Sequence, residues 1–304
     1  MDATRVQRSL DLVLLPRFGA WRIGAIDEDA IAKLIRDLQR EGLHAIDPAR
    51  PVRPLSASSV INHLKPLGQT LAFAVRNGYP LQSNPLRNLE RDERPKQENA
   101  EPAHEWTDEE IEALLSASAA LANEETAQYD YTPLLRTAIY TGLRLGELLG
   151  LQWQDVDGNV LHVRRQWALV GEVTEPKTRK GLRRVPLSPD LVALLRRHRM
   201  ASRFSQETDF VFASRAGTPL QHRNVQRRGF ELARDKAKLP ETLTFHDLRH
   251  AFASLAAHRG VPLTVLSEVL GHADTSITQR VYTHLYGREQ AEEAFRAAMA
   301  GGAS

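Results

Sequence analysis

The chain has no cysteine, which removes disulfide frameworks and thiolate metal sites and is compatible with a cytosolic protein. It has no apolar run near the ~20 residues that a bilayer span requires. The opening "MDATRVQRSLDLVLLPRF" has too short an apolar stretch for a signal peptide and no small-residue cleavage site. Neither sign of charge predominates: 40 Lys and Arg against 38 Asp and Glu leave a formal charge of +2, so the distribution of charge carries more information than its sum. Internal repeats are absent, and the only biased block is the "AGGAS" stretch. What remains is a globular, soluble composition, 42% hydrophobic over 304 residues, long enough for two domains with a core in each.

The charge is unevenly placed. Arg164, Arg165, Lys177, Arg179, Lys180, Arg183, Arg184, Arg196, Arg197, Arg199 and Arg203 face only Glu172, Glu175 and Asp190 in the same segment. Arg164, Arg165, Arg179, Lys180, Arg183 and Arg184 are therefore candidate contacts to a phosphate backbone, although charge alone is equally compatible with solvated surface. A second basic set runs from Arg223 to Lys238.

Helical periodicity dominates. Ile31, Leu34, Ile35 and Leu38 make one apolar face, with Asp27 as its expected start and Gly42 as its C-cap. Val60, Leu64, Leu67, Leu71 and Ala74 make another after "SASS", with a kink expected at Pro66. Residues 91–103 lie in a charged, Pro-flanked run with few large apolar residues, the composition of a linker. Thr107 and Glu110 then form a capping box that opens a second domain. Between Asp155 and Leu187 short β-like pieces predict a small antiparallel sheet with Lys177 in or beside a hairpin turn, and helices follow. The fold class expected is mainly α with a small antiparallel β-sheet.

His246, Arg249, His272 and Tyr282 fall within forty residues, each beside a helix start, a turn or an apolar run. Two histidines, an arginine and a tyrosine can neutralise and attack a phosphate, with no carboxylate cluster nearby to suggest a metal. Singly each is unremarkable: a surface arginine paired with Glu147, a helix-end histidine, a half-buried aromatic. Their joint order is not.

That order resembles the tyrosine recombinase family, also called phage integrases. "TGLRLGEL" is similar to the family's first arginine box, "EPKTRKGLRRVPL" to its hairpin lysine, "HDLRHAFAS" to its His-x-x-Arg box, "LGH" to its second histidine and "VYTH" to its tyrosine box. The resemblance implies a catalytic set of Arg144, Lys177, His246, Arg249, His272 and Tyr282, with Glu147 buttressing Arg144. Ala251 stands where the family often has threonine. The implied organisation is a two-domain DNA clamp: a helical core-binding domain at 1–90, N-terminally shortened relative to the family, a linker at 91–103, a catalytic domain at 104–290 and a tail at 291–304.

By the same resemblance Tyr282 attacks a phosphodiester to give a 3′-phosphotyrosyl link. Arg144 and Arg249 hold the non-bridging oxygens, His272 donates to them, His246 takes the phenol proton and Lys177 protonates the 5′ leaving oxygen. Neither metal, ATP nor another cofactor is expected. Tyr286 is the competing nucleophile, but Tyr282 lies ten residues after His272, as the family pattern has it. The implied partners are double-stranded DNA and a homo-tetramer on paired sites, with accessory DNA-bending or directionality proteins also admitted; the implied location is the cytoplasm, without membrane association. Three rivals fare worse. A zinc hydrolase could use His246 and His250 at i, i+4, but Asp247 replaces the expected glutamate and no third ligand is evident. A non-catalytic DNA binder should have lost some of the six positions. A type IB topoisomerase is disfavoured by the small two-domain plan.

Overall fold

The computed structural model describes residues 3–96, 104–169, 171–175, 181–271 and Tyr282, and among these helices predominate around small antiparallel sheets. The mainly α expectation holds. The chain divides into two units, Met1–Glu101 and Pro102–Ser304.

In the first unit a helical run over residues 3–18 precedes α1 (Glu28–Glu41) and α2 (Ala57–Arg76). Asp27 caps α1 by accepting the Ala30 N–H at 2.8 Å, and Gly42 closes it at φ +68°. A side chain at Gly42 would collide with the Arg53 carbonyl at 1.8 Å, so this turn requires glycine on two counts. Ser56 caps α2 through the Ser59 N–H, and the helix continues through Pro66. The inward faces of α1 and α2 meet residues 13–18 in one buried cluster that includes Val13, Phe18, Ile35, Leu38, Val60 and Leu71. Among the described residues no helix is long and apolar enough to cross a membrane.

In the second unit the capping box opens α3 (Asp108–Ala122): Thr107 Oγ1 accepts the Glu110 N–H at 3.2 Å and Glu110 returns a carboxylate to the Thr107 N–H at 3.1 Å. Pro133 sits in the first turn of α4 (Thr132–Thr141), and the short α5 (Leu145–Leu149) follows after a glycine turn. Among the described residues the strands form two sheets. β1 (Val156–Asp157), β2 (Val160–Val163) and β5 (Arg183–Pro186) pair antiparallel in that order, whereas β3 (Gln166–Trp167) and β4 (Val173–Thr174) make a separate ribbon. The register Leu161↔Val185 and Val163↔Arg183 turns Leu161, Val163 and Val185 into the core. Ser188 and Pro189 start α6 (Pro189–Ala201), α7 (Asp247–His258) packs on α4, and α8 (Leu263–Leu270) ends at Gly271 with φ +65°. Four buried alanines of α7, Ala251, Ala253, Ala256 and Ala257, keep its surface thin.

Candidate active site

Four pieces of the second unit converge: the turn at 142–147, the start of β5, the first half of α7 and the end of α8, with Tyr282 packed beside them. Gly142 makes the turn possible. Its φ of +63° is left-handed, and a Cβ there would lie 2.5 Å from the Phe252 ring and 3.0 Å from Leu270. Gly142→Ala should cost about 1–2 kcal/mol in backbone strain alone, with repacking of Phe252 added. The check is a drop in the thermal midpoint.

The Gly142 carbonyl accepts Nη1 of Arg249 at 2.6 Å, and the Leu270 carbonyl accepts Nη2. Arg249 is 4% exposed, a burial that a guanidinium tolerates only when its donors are used. Desolvation, then the nearby charge of Arg144, pull its pKa down to about 9, which still leaves a cation at neutral pH. Two of its five N–H donors are committed to the backbone.

Arg144 is the residue before α5. Its N–H and its Nη1 both donate to Glu147, each at 2.9 Å, so one carboxylate fixes the backbone and the side chain of the same residue. Glu147 is buried, and Arg183 reaches it from β5 with two bonds, Nη2 to Oε2 at 2.8 Å and Nη1 to Oε1 at 3.1 Å. Burial raises the Glu147 pKa, but Arg183 and then Arg144 outweigh it and hold the carboxyl below its ordinary value. Arg183 also donates Nε to the Val269 carbonyl at 2.6 Å. Thus Arg183 and Arg249 together satisfy the last two carbonyls of α8, the end that a helix leaves open and electronegative. Three guanidinium groups gather around one carboxylate, a net excess of two positive charges.

The basic-face expectation needs correction here. Arg183 does not belong to a DNA-facing surface: its side chain is 6% exposed and held on Glu147. Arg165 is likewise drawn inward, pairing with the buried Asp155 at 17% exposure. Arg164 shares Asp155 but keeps 47% of its side chain exposed, and Arg184 points outward. Lys177, Arg179, Lys180 and His272 lie outside the described residues, as do Tyr286 and the 291–304 tail.

On α7, Asp247 accepts both the N–H and the hydroxyl of Thr244 at 2.7 Å, fixing where the helix begins. His246 immediately precedes it. Its pKa is lowered by desolvation and then by Arg249. The His246 and His250 rings sit 5.8 Å apart, nearly perpendicular. Tyr282 is 3% exposed, and its hydroxyl lies 2.9 Å from His250 Nδ1. The phenol therefore meets His250, whereas the family resemblance assigns its proton to His246. The i, i+4 spacing of "HDLRH", the same spacing that suggests zinc, places a second imidazole one turn from the first. Burial pushes the Tyr282 pKa up to about 12, with Arg249 opposing. Among the described residues no group of three or more histidines and carboxylates could hold a metal ion.

The phage integrase family model matches residues 105–289. Similar proteins include a XerC-like tyrosine recombinase of Caldanaerobacter subterraneus, 31% identical over 206 residues that cover 60% of this chain and 52% of that protein. They also include the ICEBs1 integrase of Bacillus subtilis, 35% identical over 172 residues, 52% of this chain and 45% of that one. The chain spans about half the length of these curated relatives. Among solved structures, the Tn1549 transposon integrase in complex with transposon right end DNA aligns with a TM-score of 0.78 at 21% identity, covering 98% of this chain and 94% of that chain. At that identity the likeness shows a shared fold.

Proposed function

The chain belongs to the phage integrase family, and on that premise we propose that it cleaves and rejoins duplex DNA at specific sites through a 3′-phosphotyrosyl bond to Tyr282. The observation that carries the reading is the buried Tyr282 hydroxyl, set against α7 next to the Arg249 cation and hydrogen-bonded to a histidine. A tyrosine kept only for packing has no need of that setting.

The residues support the chemistry step by step. Arg144 and Arg249 are cations whose forked donors match two non-bridging phosphate oxygens, and the pentavalent transition state carries more charge than the ground state. Glu147 keeps Arg144 pointed, and Arg183 offsets the charge that Glu147 would otherwise cancel. With its pKa near 12, only on the order of 10⁻⁵ of the phenol is ionised at pH 7, so its proton must leave during attack. An imidazole beside it receives the proton. In this reading Lys177 protonates the 5′ leaving oxygen and His272 donates to the phosphoryl oxygens. The phosphotyrosyl bond stores the energy for rejoining, so neither ATP nor metal enters the scheme. Exchange between two duplexes takes four cleavages, which gives a homo-tetramer on paired sites. Accessory proteins that bend DNA or set direction fit the same scheme, as does a cytoplasmic location. Arg164, Arg184, Arg179 and Lys180 remain the proposed backbone contacts.

The test is trapping. The full chain is incubated with a library of nicked duplexes of randomised sequence, whose short strand diffuses away after cleavage. The expected result is a detergent-stable protein–DNA adduct with the DNA joined through its 3′ phosphate, and sequencing the trapped ends gives the target site. DNA binding without adduct under these conditions rejects the reading.

A further inference from the structure

The reaction above needs an acceptor for the phenol proton, and two imidazoles stand one turn apart at the start of α7, His246 just before it and His250 within it. They are not equivalent. His246 lies just before the helix and is exposed, whereas His250 is one turn further in, with Nδ1 2.9 Å from the Tyr282 oxygen and ring centroids 5.6 Å apart. We infer that His250 is a catalytic residue, the base that removes the Tyr282 proton through Nδ1 as the phenolic oxygen attacks phosphorus. The inference rests on the strand-cleavage reading and gives His250 the role that the family resemblance assigned to His246.

The step balances without a further reagent. The phenolic O–H bond breaks, its proton passes to Nδ1, and its electron pair becomes the new bond to phosphorus. The bond from phosphorus to the 5′ oxygen breaks, and that oxygen leaves with the pair and takes a proton from a separate cationic acid or from water. Rejoining runs the same path backwards, with the imidazolium returning its proton to the departing phenolate.

For Nδ1 to accept, the ring must be neutral with its hydrogen on Nε2. The surroundings favour that form. Desolvation, then the neighbouring His246 and Arg249, lower the His250 pKa, against a smaller opposing pull from Asp247. From outside α7, Tyr282 is its hydrogen-bond partner. The phosphodiester that arrives with DNA brings the negative charge that makes the imidazolium tolerable once it forms. A 2.9 Å contact is already within proton-transfer reach.

The experiment is single-turnover cleavage of the duplex selected by the trap, at saturating protein so that binding drops out, across pH 5 to 9. In the wild type the rate should rise as pH passes upward through the His250 pKa, below the ordinary imidazole value of about 6.5, and then level off. His250→Asn keeps a hydrogen-bonding atom near the position of Nδ1 but cannot take a proton. It should cleave about 10²–10³-fold more slowly and should lose the plateau, its rate climbing about tenfold per pH unit as solvent hydroxide replaces the base. His250→Gln substitutes if the asparagine variant does not fold, as judged by circular dichroism. The wild-type limb is read without any substitution, and its absence counts against the inference. The inference is overturned if the variant cleaves within about threefold of wild type, if it is slow but keeps the wild-type pH shape, or if it is faster, which would make the contact a resting lock on the phenol. It also falls if His246→Asn, rather than His250→Asn, gives the tenfold slope. A wild type that forms no adduct rejects the cleavage reading itself. A wild type that forms one, beside an unimpaired His250→Asn, rejects only the base.

Discussion

Replacing Tyr282 with phenylalanine is expected to abolish covalent adduct formation, at least about 10³-fold below wild type, in a protein that still folds and still retains DNA. The two effects separate because the ring and the hydroxyl do different things. The ring is 3% exposed and belongs to the small cluster with Ala253, Ala257, Leu266 and Leu270, and phenylalanine preserves that burial. The hydroxyl contributes one hydrogen bond to His250, worth about 0.5–1.5 kcal/mol net, so the thermal midpoint should fall by only a few degrees. Catalysis, by contrast, has no oxygen left to attack phosphorus. The measurement is adduct yield on the selected nicked duplex, with retention of unreacted DNA on a native gel as the control for binding. Residual adduct that maps to Tyr286 would transfer the nucleophile there, and a loss of DNA retention equal to the loss of adduct would reduce Tyr282 to a structural role.

How much of this was legible before the fold was known depends on the range of the signal. Caps are written locally, so Asp27, Gly42, Thr107 and Glu110 could be read from a few consecutive residues and stand where they were expected. The turn at Gly142 and the pairing of Arg144 with Glu147 are local in the same sense. Arg183 was not legible as charge. In the sequence it is one base among many, next to Arg184, and composition treats the two alike. On a strand they must point to opposite faces. Val163, the cross-strand partner of Arg183, is buried in the core, and that alternation sends Arg183 inward to Glu147 while Arg184 stays in solvent. The pairing of Arg165 is hidden for a related reason, since nothing nearby in sequence announces that Asp155, ten residues earlier, is buried and needs a cation. His250 differs again. Its spacing from His246 was visible, but its partner is 32 residues away, and only the packing of Tyr282 on α7 reveals which imidazole meets the phenol.

The inward turn of Arg183 leads to a large expected effect on stability. Arg183→Met removes two bonds to Glu147 and one to the Val269 carbonyl, leaving a buried carboxylate hydrogen-bonded only by the part-exposed Arg144, with the Arg249 charge nearby but not bonded to it. Breaking one side of a buried pair costs about 3–5 kcal/mol, and in a unit of this size each kcal/mol lowers the midpoint by about 2–4 °C. The transition of the Pro102–Ser304 unit should therefore drop by roughly 6–20 °C. Because the penalty comes from the stranded charge, Glu147→Gln in the same chain should return much of it, a coupling that two independent sites would not show. Cleavage should not recover with stability, since the double variant leaves Arg144 without the carboxylate that points it. The acid side provides a second reading. Glu147 has a folded pKa below its unfolded value, so its contribution is present above about pH 4.3 and is lost as pH falls through the lower folded value. Wild type should lose stability across that window more steeply than Arg183→Met, whose carboxyl no longer has the cation that depressed it. Equal acid slopes, or a double variant no more stable than Arg183→Met alone, would place the cost of the substitution in packing and remove Glu147 from the explanation.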